Sequence, residues 1–173
     1  MILHGLTARH NMTAPRRKKG GYFPTEPAAP APILVRLLSR IRFSDVDPMQ
    51  ILWHGRYAKL FEQANEELGR VVGMSYPDFK RDTLLAPIVQ LHVDYFAPCL
   101  LGEEVSILGK LIWSAGARMD IEYEVRKPNG TLAATGYTVQ MFLDMEGLPL
   151  LASPPMQENC RRRWLAGEFT DRK

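Results

Sequence analysis

The sequence predicts an α+β fold in which a curved antiparallel sheet of five to six strands wraps around one long central helix. Three observations lead to this prediction. One segment repeats its apolar residues at helical spacing, five segments have the composition or alternation of strands, and a Pro-Asn-Gly turn joins two of those strands. The order along the chain is strand, helix and four more strands, and such a sheet buries its apolar face by curling round the helix.

The first strand is predicted near Ile33, where the chain reads ILVRLLSRIRFSD. Branched apolar residues dominate this segment, and polar and apolar residues alternate over 40–44 at its end. Such alternation is typical of a strand with one solvated face.

The long helix is predicted within HGRYAKLFEQANEELGRVVG, over about 18 residues with Gly73 as its C-cap. The apolar residues that recur at three- and four-residue spacing are Tyr57, Leu60, Phe61, Ala64, Leu68, Val71 and Val72.

Four further strands follow a loop that contains Pro77. They are predicted within PIVQLHVDYFAP, EEVSILGKLIWS, ARMDIEYEVRK and TLAATGYTVQMFLD. Residues 128–130, Pro-Asn-Gly, predict a hairpin between the last two. The stretch LASPPMQENCRRRWLAGEF predicts a turn and a short helix.

Charge and composition divide the chain into three parts. Residues 1–32, rich in Pro, Ala and Gly, predict a disordered or extended basic arm, residues 33–158 the folded domain, and residues 159–173 a short C-terminal helix or tail. Residues 1–40 carry seven Lys or Arg against one acid, whereas 41–173 carry fifteen against eighteen. The basic cluster at 16–19 is interpreted as solvated, and no nucleic-acid partner is expected, because base readout needs a folded element. The Arg-rich, acid-poor N-terminus resembles a transit peptide in composition, and a true start at Met12 explains it equally well.

Cysteine usage and hydropathy indicate a cytoplasmic protein. Cys99 and Cys160 are the two cysteines, too few for a disulfide framework and without metal-ligand spacing. No apolar run approaches the roughly 18 residues of a membrane span, and the N-terminus lacks the apolar region of a secretory signal. Neither a metal nor another cofactor is expected, since no Gly-rich phosphate loop, metal cluster or Gly-x-Ser-x-Gly motif occurs.

The stretch FSDVDPMQILWHGRY concentrates the candidate chemistry. It places Asp45 and Asp47 just ahead of a helix that would begin near His54. On the residues alone, the aspartates could simply cap the turn and the histidine could be packed and hydrogen-bonded. A carboxylate can also act as a general base or nucleophile, and an amide N–H at a helix start can stabilise an oxyanion.

The chain from about residue 36 to 158 resembles the hotdog-fold acyl-CoA thioesterases of the 4-hydroxybenzoyl-CoA thioesterase type. It is also similar to the bacterial acyl-CoA thioesterases linked to the Tol-Pal system. RFSDVDPMQILWHGRYAKLFEQA and VQLHVDYFAPCLLGEEVSI carry the resemblance. It implies a hotdog fold and hydrolysis of an acyl-CoA to a free acid and coenzyme A. It further implies a homodimer with its sheets joined edge to edge, often paired into a homotetramer, and an active site at the subunit interface.

The resemblance also assigns roles to individual residues. Asp47 matches the catalytic carboxylate, and His54 occupies the position whose backbone N–H polarises the thioester carbonyl. Asp45 is predicted to be structural. The predicted substrate-binding residues are Tyr57, Gln50, Trp53 and Arg118. Two features depart from the family: Gln50 replaces a usual glycine, and SAGARM offers only Arg118 where relatives place several basic residues for coenzyme A phosphates.

Other polar and aromatic residues receive structural interpretations. Glu62 and Glu66 lie one helical turn apart, and a solvated face or an interface hydrogen bond is favoured over a role as base. His92 and Cys99 are interpreted as packing residues. Trp53, Phe61, Tyr95 and Phe96 are core residues or walls of an acyl pocket, two alternatives that the sequence does not separate.

Three alternative functions stay open at this point. They are a hotdog hydratase or dehydratase, a non-catalytic acyl-CoA-binding or sensor protein, and a hydrolase that acts on carrier-bound acyl groups. The identity of the acyl group is not encoded in any motif, and the carboxylate could act as nucleophile or as general base.

Overall fold

The computed structural model describes residues 21–170, which form one long helix packed against one five-stranded antiparallel sheet. The long helix is α1 (Tyr57–Val72), followed by the short α2 (Tyr76–Arg81) and, near the C-terminus, α3 (Pro155–Leu165). Gly73 ends α1 with φ at 78°, a left-handed C-cap, as the sequence predicted. The predicted basic cluster at 16–19 lies outside the described residues.

The sheet contains all five predicted strands. These are β1 (Ile33–Arg40), β2 (Ile88–Tyr95), β3 (Glu104–Ile112), β4 (Arg118–Arg126) and β5 (Leu132–Met141), in the order β1-β3-β4-β5-β2. The predicted hairpin joins β4 to β5 through Gly130. Its φ of 82° lies in the left-handed region, which glycine adopts readily because it has no side chain. The predicted α+β class is therefore confirmed.

The core lies between the apolar stripe of α1 and one face of the sheet. At its centre the ring of Phe61 stacks on Tyr123 of β4, with centroids 4.4 Å apart and planes 5° from parallel. Gly136 of β5 lets this pair sit low on the sheet, because a Cβ there would collide with the Phe61 ring and a β2 carbonyl. The core thus fixes the axis of α1 and the position of its first turn.

The connection from β2 to β3 differs from the short link that the sequence predicts. β2 lies at one edge of the sheet beside β5, whereas β3 lies beside β1 near the opposite edge. Residues 96–103 therefore cross from one side of the sheet to the other. The crossing chain is pinned by backbone hydrogen bonds from Leu52 N to Cys99 O (2.8 Å) and from Leu101 N to Gln50 O (3.0 Å).

Two local predictions are wrong. The predicted alternation at 40–44 is not strand, because β1 ends at Arg40 and Phe43–Asp45 forms a 3-10 turn that leaves Phe43 82 % exposed. The loop predicted around Pro77 contains α2, in which proline occupies the first turn, where its missing N–H costs nothing.

Residues 21–32 form an extended segment on the outer face of the sheet, the face turned away from α1. The Tyr22 hydroxyl donates to Asp94 Oδ2 of β2 at 2.6 Å, and its backbone N–H donates to Glu122 of β4. The indole N–H of Trp164 in α3 donates to the carbonyl of Ala31. We call residues 21–32 the strap.

Candidate functional site

The motif that precedes α1 folds into a small antiparallel ladder. Val46 pairs with Leu52, Trp53 N donates to Asp45 O at 3.0 Å, and Asp47 N donates to Ile51 O at 2.9 Å. Residues 48–50 form the tip of this ladder. The two predicted catalytic residues therefore belong to one rigid unit: Asp47 on the incoming arm, and His54 directly after the outgoing arm.

Asp47 uses one carboxylate oxygen to hold the tip of the ladder. Its Oδ1 accepts hydrogen bonds from the backbone N–H groups of Met49 (2.8 Å) and Ile51 (3.3 Å). Within residues 21–170 no donor is bonded to Oδ2. The side chain is partly exposed, so one oxygen is fixed and the other is available for chemistry.

Asp45, in contrast, is buried and fully engaged. Lys59 in the first turn of α1 donates to its Oδ1 at 3.0 Å, and the backbone N–H of Arg42 donates to Oδ2 at 3.3 Å. Burial would raise the pKa of this carboxyl, but the bonds from Lys59 and Arg42 outweigh burial and keep the pKa below its usual range. Asp45 thus ties the ladder to the helix.

Gln50 adopts the conformation that glycine would adopt at this place. Its φ is 61°, in the left-handed region, and its N–H closes the tip by donating to Asp47 O at 2.9 Å. A side chain is disfavoured in this region. The exposed Gln50 side chain therefore stands at the tip of the ladder despite backbone strain.

The backbone N–H of His54 is available at the helix start. His54 opens a 3-10 turn, His54–Arg56, that leads directly into α1. No group within residues 21–170 accepts a hydrogen bond from this N–H. The dipole of the following helix adds positive potential at such an amide.

Tyr95 of β2 holds the helix start in place from the other side. Its hydroxyl donates to the His54 carbonyl at 3.0 Å, and its ring meets the Tyr57 ring edge-on with centroids 5.0 Å apart. The sequence indicates that Tyr95 is a core residue or part of an acyl-pocket wall. It gave no signal for this hydrogen bond, which joins residues 41 positions apart.

The predicted substrate-binding residues have different surroundings. Trp53 is 46 % exposed beside the ladder, with its ring 4.9 Å from that of His54. Tyr57 is buried, and its hydroxyl donates to Cys99 Sγ at 3.7 Å; burial is the main cause that raises its pKa. Contact of either residue with substrate stays a prediction.

Arg118 is far from the ladder within one chain. It pairs with Asp120 at 2.9 Å and shares a small cavity with Met74, which lies just past the C-terminal end of α1. With 16 residues, α1 is about 24 Å long. The structure therefore does not bring Arg118 together with Asp47 and His54 in the same chain.

Glu62 and Glu66 of α1, and the predicted packing residues His92 and Cys99, have different surroundings. Glu66 pairs with Arg70, whereas Glu62 is half-buried, and burial together with Glu66 raises its pKa. Cys99 is fully buried, in accord with the packing interpretation. His92 packs on the outer face of the sheet, where its ring stacks on that of Tyr137.

A basic cavity beside the helix start was missed by sequence reasoning. Its volume is about 510 Å³, its open mouth included, and four cationic residues line it together with Asp45: Arg40, Arg42, Arg56 and Lys59. Lys59 is paired with Asp45, but no carboxylate within residues 21–170 pairs with the three arginines. These residues come from β1, the following turn and the helix start, so no local motif marks them.

Comparison with known proteins assigns the chain to a family. The model of the "Thioesterase-like superfamily" matches residues 41–164, which span the ladder, α1 and four of the five strands. The chain belongs to the thioesterase-like superfamily. Among curated proteins, "Putative acyl-CoA thioesterase YneP" of Bacillus subtilis (strain 168) is 24 % identical over 106 residues, 61 % of this chain and 77 % of that protein.

Solved structures share the fold of this thioesterase-family chain. The DHNA-CoA thioesterase from Staphylococcus aureus matches with a TM-score of 0.70 and 22 % identity, over 81 % of this chain and 96 % of that one. The hypothetical protein SAV2348 from Staphylococcus aureus, solved in complex with CoA, matches with a TM-score of 0.70 and 15 % identity, over 83 % and 88 %. The predicted hotdog fold is confirmed.

The family match supports thioester hydrolysis as the reaction, and the chain is a thioesterase-family enzyme. No helix among residues 21–170 has the length and apolar character needed to cross a membrane.

Proposed function

We propose that this thioesterase hydrolyses an acyl-CoA thioester with the Asp47 carboxylate as base or nucleophile and the His54 N–H as oxyanion donor. One observation carries the proposal. The ladder presents a carboxylate with a free oxygen and a helix-start amide with a free hydrogen from a single fixed segment. Thioester hydrolysis needs both groups.

In the general-base route, Asp47 takes a proton from a water molecule as the water oxygen adds to the thioester carbonyl carbon. The carbonyl oxygen becomes an oxyanion and accepts the His54 N–H. The tetrahedral intermediate then collapses, the C–S bond breaks, and the thiolate of coenzyme A leaves and takes up the proton held by Asp47. The free acid remains.

In the nucleophilic route, an Asp47 oxygen adds to the carbonyl carbon and expels the thiolate, which forms a mixed anhydride that water then cleaves. Single turnover in ¹⁸O-labelled water detects the anhydride when water attacks its aspartyl carbonyl, because the label then enters the Asp47 side chain. Label in the released acid alone fits both routes, since water that attacks the acyl carbonyl of the anhydride also labels the acid.

The basic cavity supports coenzyme A as the carrier of the acyl group. Among residues 21–170, three arginines that form no ion pair with a carboxylate stand beside the helix start, and guanidinium groups bind phosphate oxygens in bidentate fashion. They offer the cationic surface that the single Arg118 does not supply. We assign the phosphates of the substrate to this cavity.

The exposed edge of the sheet supports a homodimer. β2 is an edge strand of the described sheet, and apolar residues along it are about half exposed in one chain: Ile88, Val89, Leu91 and Tyr95. Such an edge requires cover, and a second β2 in antiparallel orientation supplies it. We propose this edge-to-edge dimer; its further pairing into a homotetramer stays a prediction.

We also propose a cytoplasmic location. Cys99 and Cys160 are buried and unpaired, as is usual in a reducing compartment.

A thiol-release assay tests the function. Purified protein is mixed with short, long, branched and aromatic acyl-CoAs, and free coenzyme A is followed with a thiol reagent. We expect release from at least one of them at rates far above the uncatalysed reaction. Binding of acyl-CoA without release would favour a sensor, and hydration of an enoyl-CoA without release would favour a hydratase.

The basic cavity makes a separate prediction. Substitution of Arg40 and Arg42 by alanine should raise KM for an acyl-CoA about tenfold or more, because each charge-assisted hydrogen bond to phosphate contributes on the order of 1.5 kcal/mol. KM for the matching acyl-pantetheine, which lacks the nucleotide phosphates, should not change. Equal KM changes for both substrates would remove the phosphates from this cavity.

A further inference from the structure

The start of the long helix lacks the side-chain cap that helix starts commonly carry. Trp53 stands at the N-cap position of the 3-10 turn His54–Arg56, with the extended backbone of a cap (φ −60°, ψ 132°). Neither Trp53 nor Arg56, at the N-cap position of α1, makes a side-chain capping bond within residues 21–170. A capping side chain accepts hydrogen bonds from amides of the first turn and lies in front of them. Its absence leaves the space before the His54 N–H open, but the first turn also loses its usual support.

The Tyr95 hydroxyl supports this turn from the carbonyl side. The His54 carbonyl accepts two hydrogen bonds, one from the backbone N–H of Tyr57 and one from the Tyr95 hydroxyl at 3.0 Å. These bonds use both lone pairs of the oxygen. Because a carbonyl has no hydrogen to donate, the Tyr95 proton is committed to His54 and is not directed at a substrate. The carbonyl is thus held in its helical orientation toward α1, and the amide of the same residue points out of the helix start.

Tyr95 is itself held by the sheet and by α1. It ends β2 opposite Ala134 of β5, and the next amide, Phe96 N, donates to the Ala133 carbonyl at 2.8 Å. Its ring meets the Tyr57 ring edge-on, with centroids 5.0 Å apart. Burial raises the pKa of Tyr95, so the hydroxyl keeps its proton at neutral pH. A sheet residue with a packed ring therefore sets the position of the helix start.

The peptide group that carries the His54 N–H is held from the ladder side as well. Its carbonyl, that of Trp53, accepts from Arg56 N at 2.7 Å, and Trp53 N donates to Asp45 O at 3.0 Å. All of these bonds lie within the motif and its helix start. The bond from Tyr95 is different, because it comes from a distant strand and a side-chain substitution removes it without changing the backbone.

We propose that Tyr95 is a positioning residue for thioester hydrolysis, an inference that rests on the proposed function. Its hydroxyl fixes the His54 residue so that the N–H is oriented toward the thioester carbonyl oxygen before the reaction begins. A preorganised donor stabilises the oxyanion more than the ground-state carbonyl, because it does not reorient as charge develops. Loss of the hydroxyl should therefore slow the chemical step and leave substrate binding unchanged.

Tyr95→Phe tests the proposal, because phenylalanine keeps the ring beside Tyr57 and removes only the donor. With an acyl-CoA that the wild type hydrolyses, we expect kcat to fall about three- to tenfold, the range that one neutral hydrogen bond allows. KM should stay within about twofold of the wild type. 4-Aminophenylalanine at position 95 supplies a donor again and should restore most of the lost kcat.

Tyr22→Phe is the matched control. It also removes the hydroxyl of a partly exposed tyrosine, but that hydroxyl donates to Asp94 on the outer face of the sheet. Its kcat should equal that of the wild type. If Tyr95→Phe does not fold, 4-fluorophenylalanine at position 95 is the alternative, because it lacks the donor and is closer to tyrosine in shape.

A second readout reports on the His54 N–H itself. The ketone analogue of the same acyl-CoA, in which CH₂ replaces the sulfur, binds without being hydrolysed and carries a ¹³C label at its carbonyl. A hydrogen bond to the carbonyl oxygen moves this resonance downfield. We expect a smaller downfield shift in saturated Tyr95→Phe than in the saturated wild type, whereas a purely structural role of Tyr95 would lower stability without moving the resonance.

Equal kcat in the wild type and Tyr95→Phe, or a lower kcat with an unchanged ketone resonance, would overturn the positioning role while thioester hydrolysis stands. Absence of thiol release by the wild type from every acyl-CoA would instead overturn the proposed function, and the positioning role with it.

Discussion

At the scale of single residues, Asp45 and Asp47 stand two positions apart but have different surroundings. Asp45 is buried between Lys59 and the Arg42 amide, whereas Asp47 keeps one oxygen free of protein donors within the described chain. Spacing in the sequence cannot separate the two, because both favour turns before helices, and Asp47 itself accepts hydrogen bonds from the Met49 and Ile51 amides of its turn. The separation depends on Lys59, which reaches Asp45 only after α1 has formed.

Gln50 makes a prediction about stability at the tip of the ladder. Its left-handed backbone disfavours branched side chains most, so Gln50→Val should destabilise the protein by roughly 1–2 kcal/mol. Gln50→Gly should stay within about 1 kcal/mol of the wild type, since relief of strain offsets the entropy of glycine. Urea unfolding of both variants measures the difference. Equal stability of the two would contradict the strain.

At the scale of elements, periodicity predicted those parts of the fold that depend on local pattern. The apolar stripe from Tyr57 to Val72 predicted α1. The alternation of apolar and polar residues predicted β2, in which Leu91, Val93 and Tyr95 face the helix side of the sheet. The edge position of β2 could not be predicted, because pairing with β5 joins residues about 45 positions apart. α2 could not be predicted because proline is typical of loops and is equally compatible with the first turn of a helix, where Pro77 lies.

The link between the ladder and α1 predicts a pH dependence. Because the folded pKa of Asp45 lies below its ordinary value of 3.8, its contribution to stability is complete above pH 3.8 and is lost as the pH falls through the folded pKa. Asp45→Asn should therefore destabilise the protein by about 1 kcal/mol at pH 7, a modest figure because Lys59 is half-exposed.

Urea unfolding of wild type and Asp45→Asn from pH 7 down to about pH 2.5 checks this linkage. The gap between the two proteins should be constant near neutrality and narrow below pH 3.8. A gap that does not change over the whole range would show that the charge of Asp45 is not what joins ladder and helix.

At the scale of the whole molecule, the site depends on contacts between distant parts of the chain. The basic cavity joins β1 to the helix start, and Tyr95 reaches His54 from the sheet edge. Neither the cavity nor the Tyr95–His54 hydrogen bond was predicted, because both join residues that are distant in sequence and meet only in the folded chain. Asp47, His54 and Gln50 could be proposed from the sequence because one continuous motif carries them and the motif resembles that of a known family; their roles stay predictions.

The strap makes a prediction about the outer face of the sheet. Tyr22 packs on His92 and Tyr137 and donates to Asp94. Tyr22→Ala should destabilise the protein by about 2 kcal/mol through lost ring burial and hydrogen bonding. Thermal unfolding measures the loss, with the exposed Leu165→Ala as control. A Tyr22→Ala protein as stable as the control would mean that the strap does not contribute to the fold.

The turnover of Asp47→Asn is the most direct test of the ladder as the catalytic unit. Asparagine keeps the acceptor that holds Met49 and Ile51, so the fold should persist while the base or nucleophile is lost. We predict a fall in kcat of at least about a hundredfold in the thiol-release assay, with an unfolding curve like that of the wild type. Undiminished kcat in a folded Asp47→Asn protein would contradict the account.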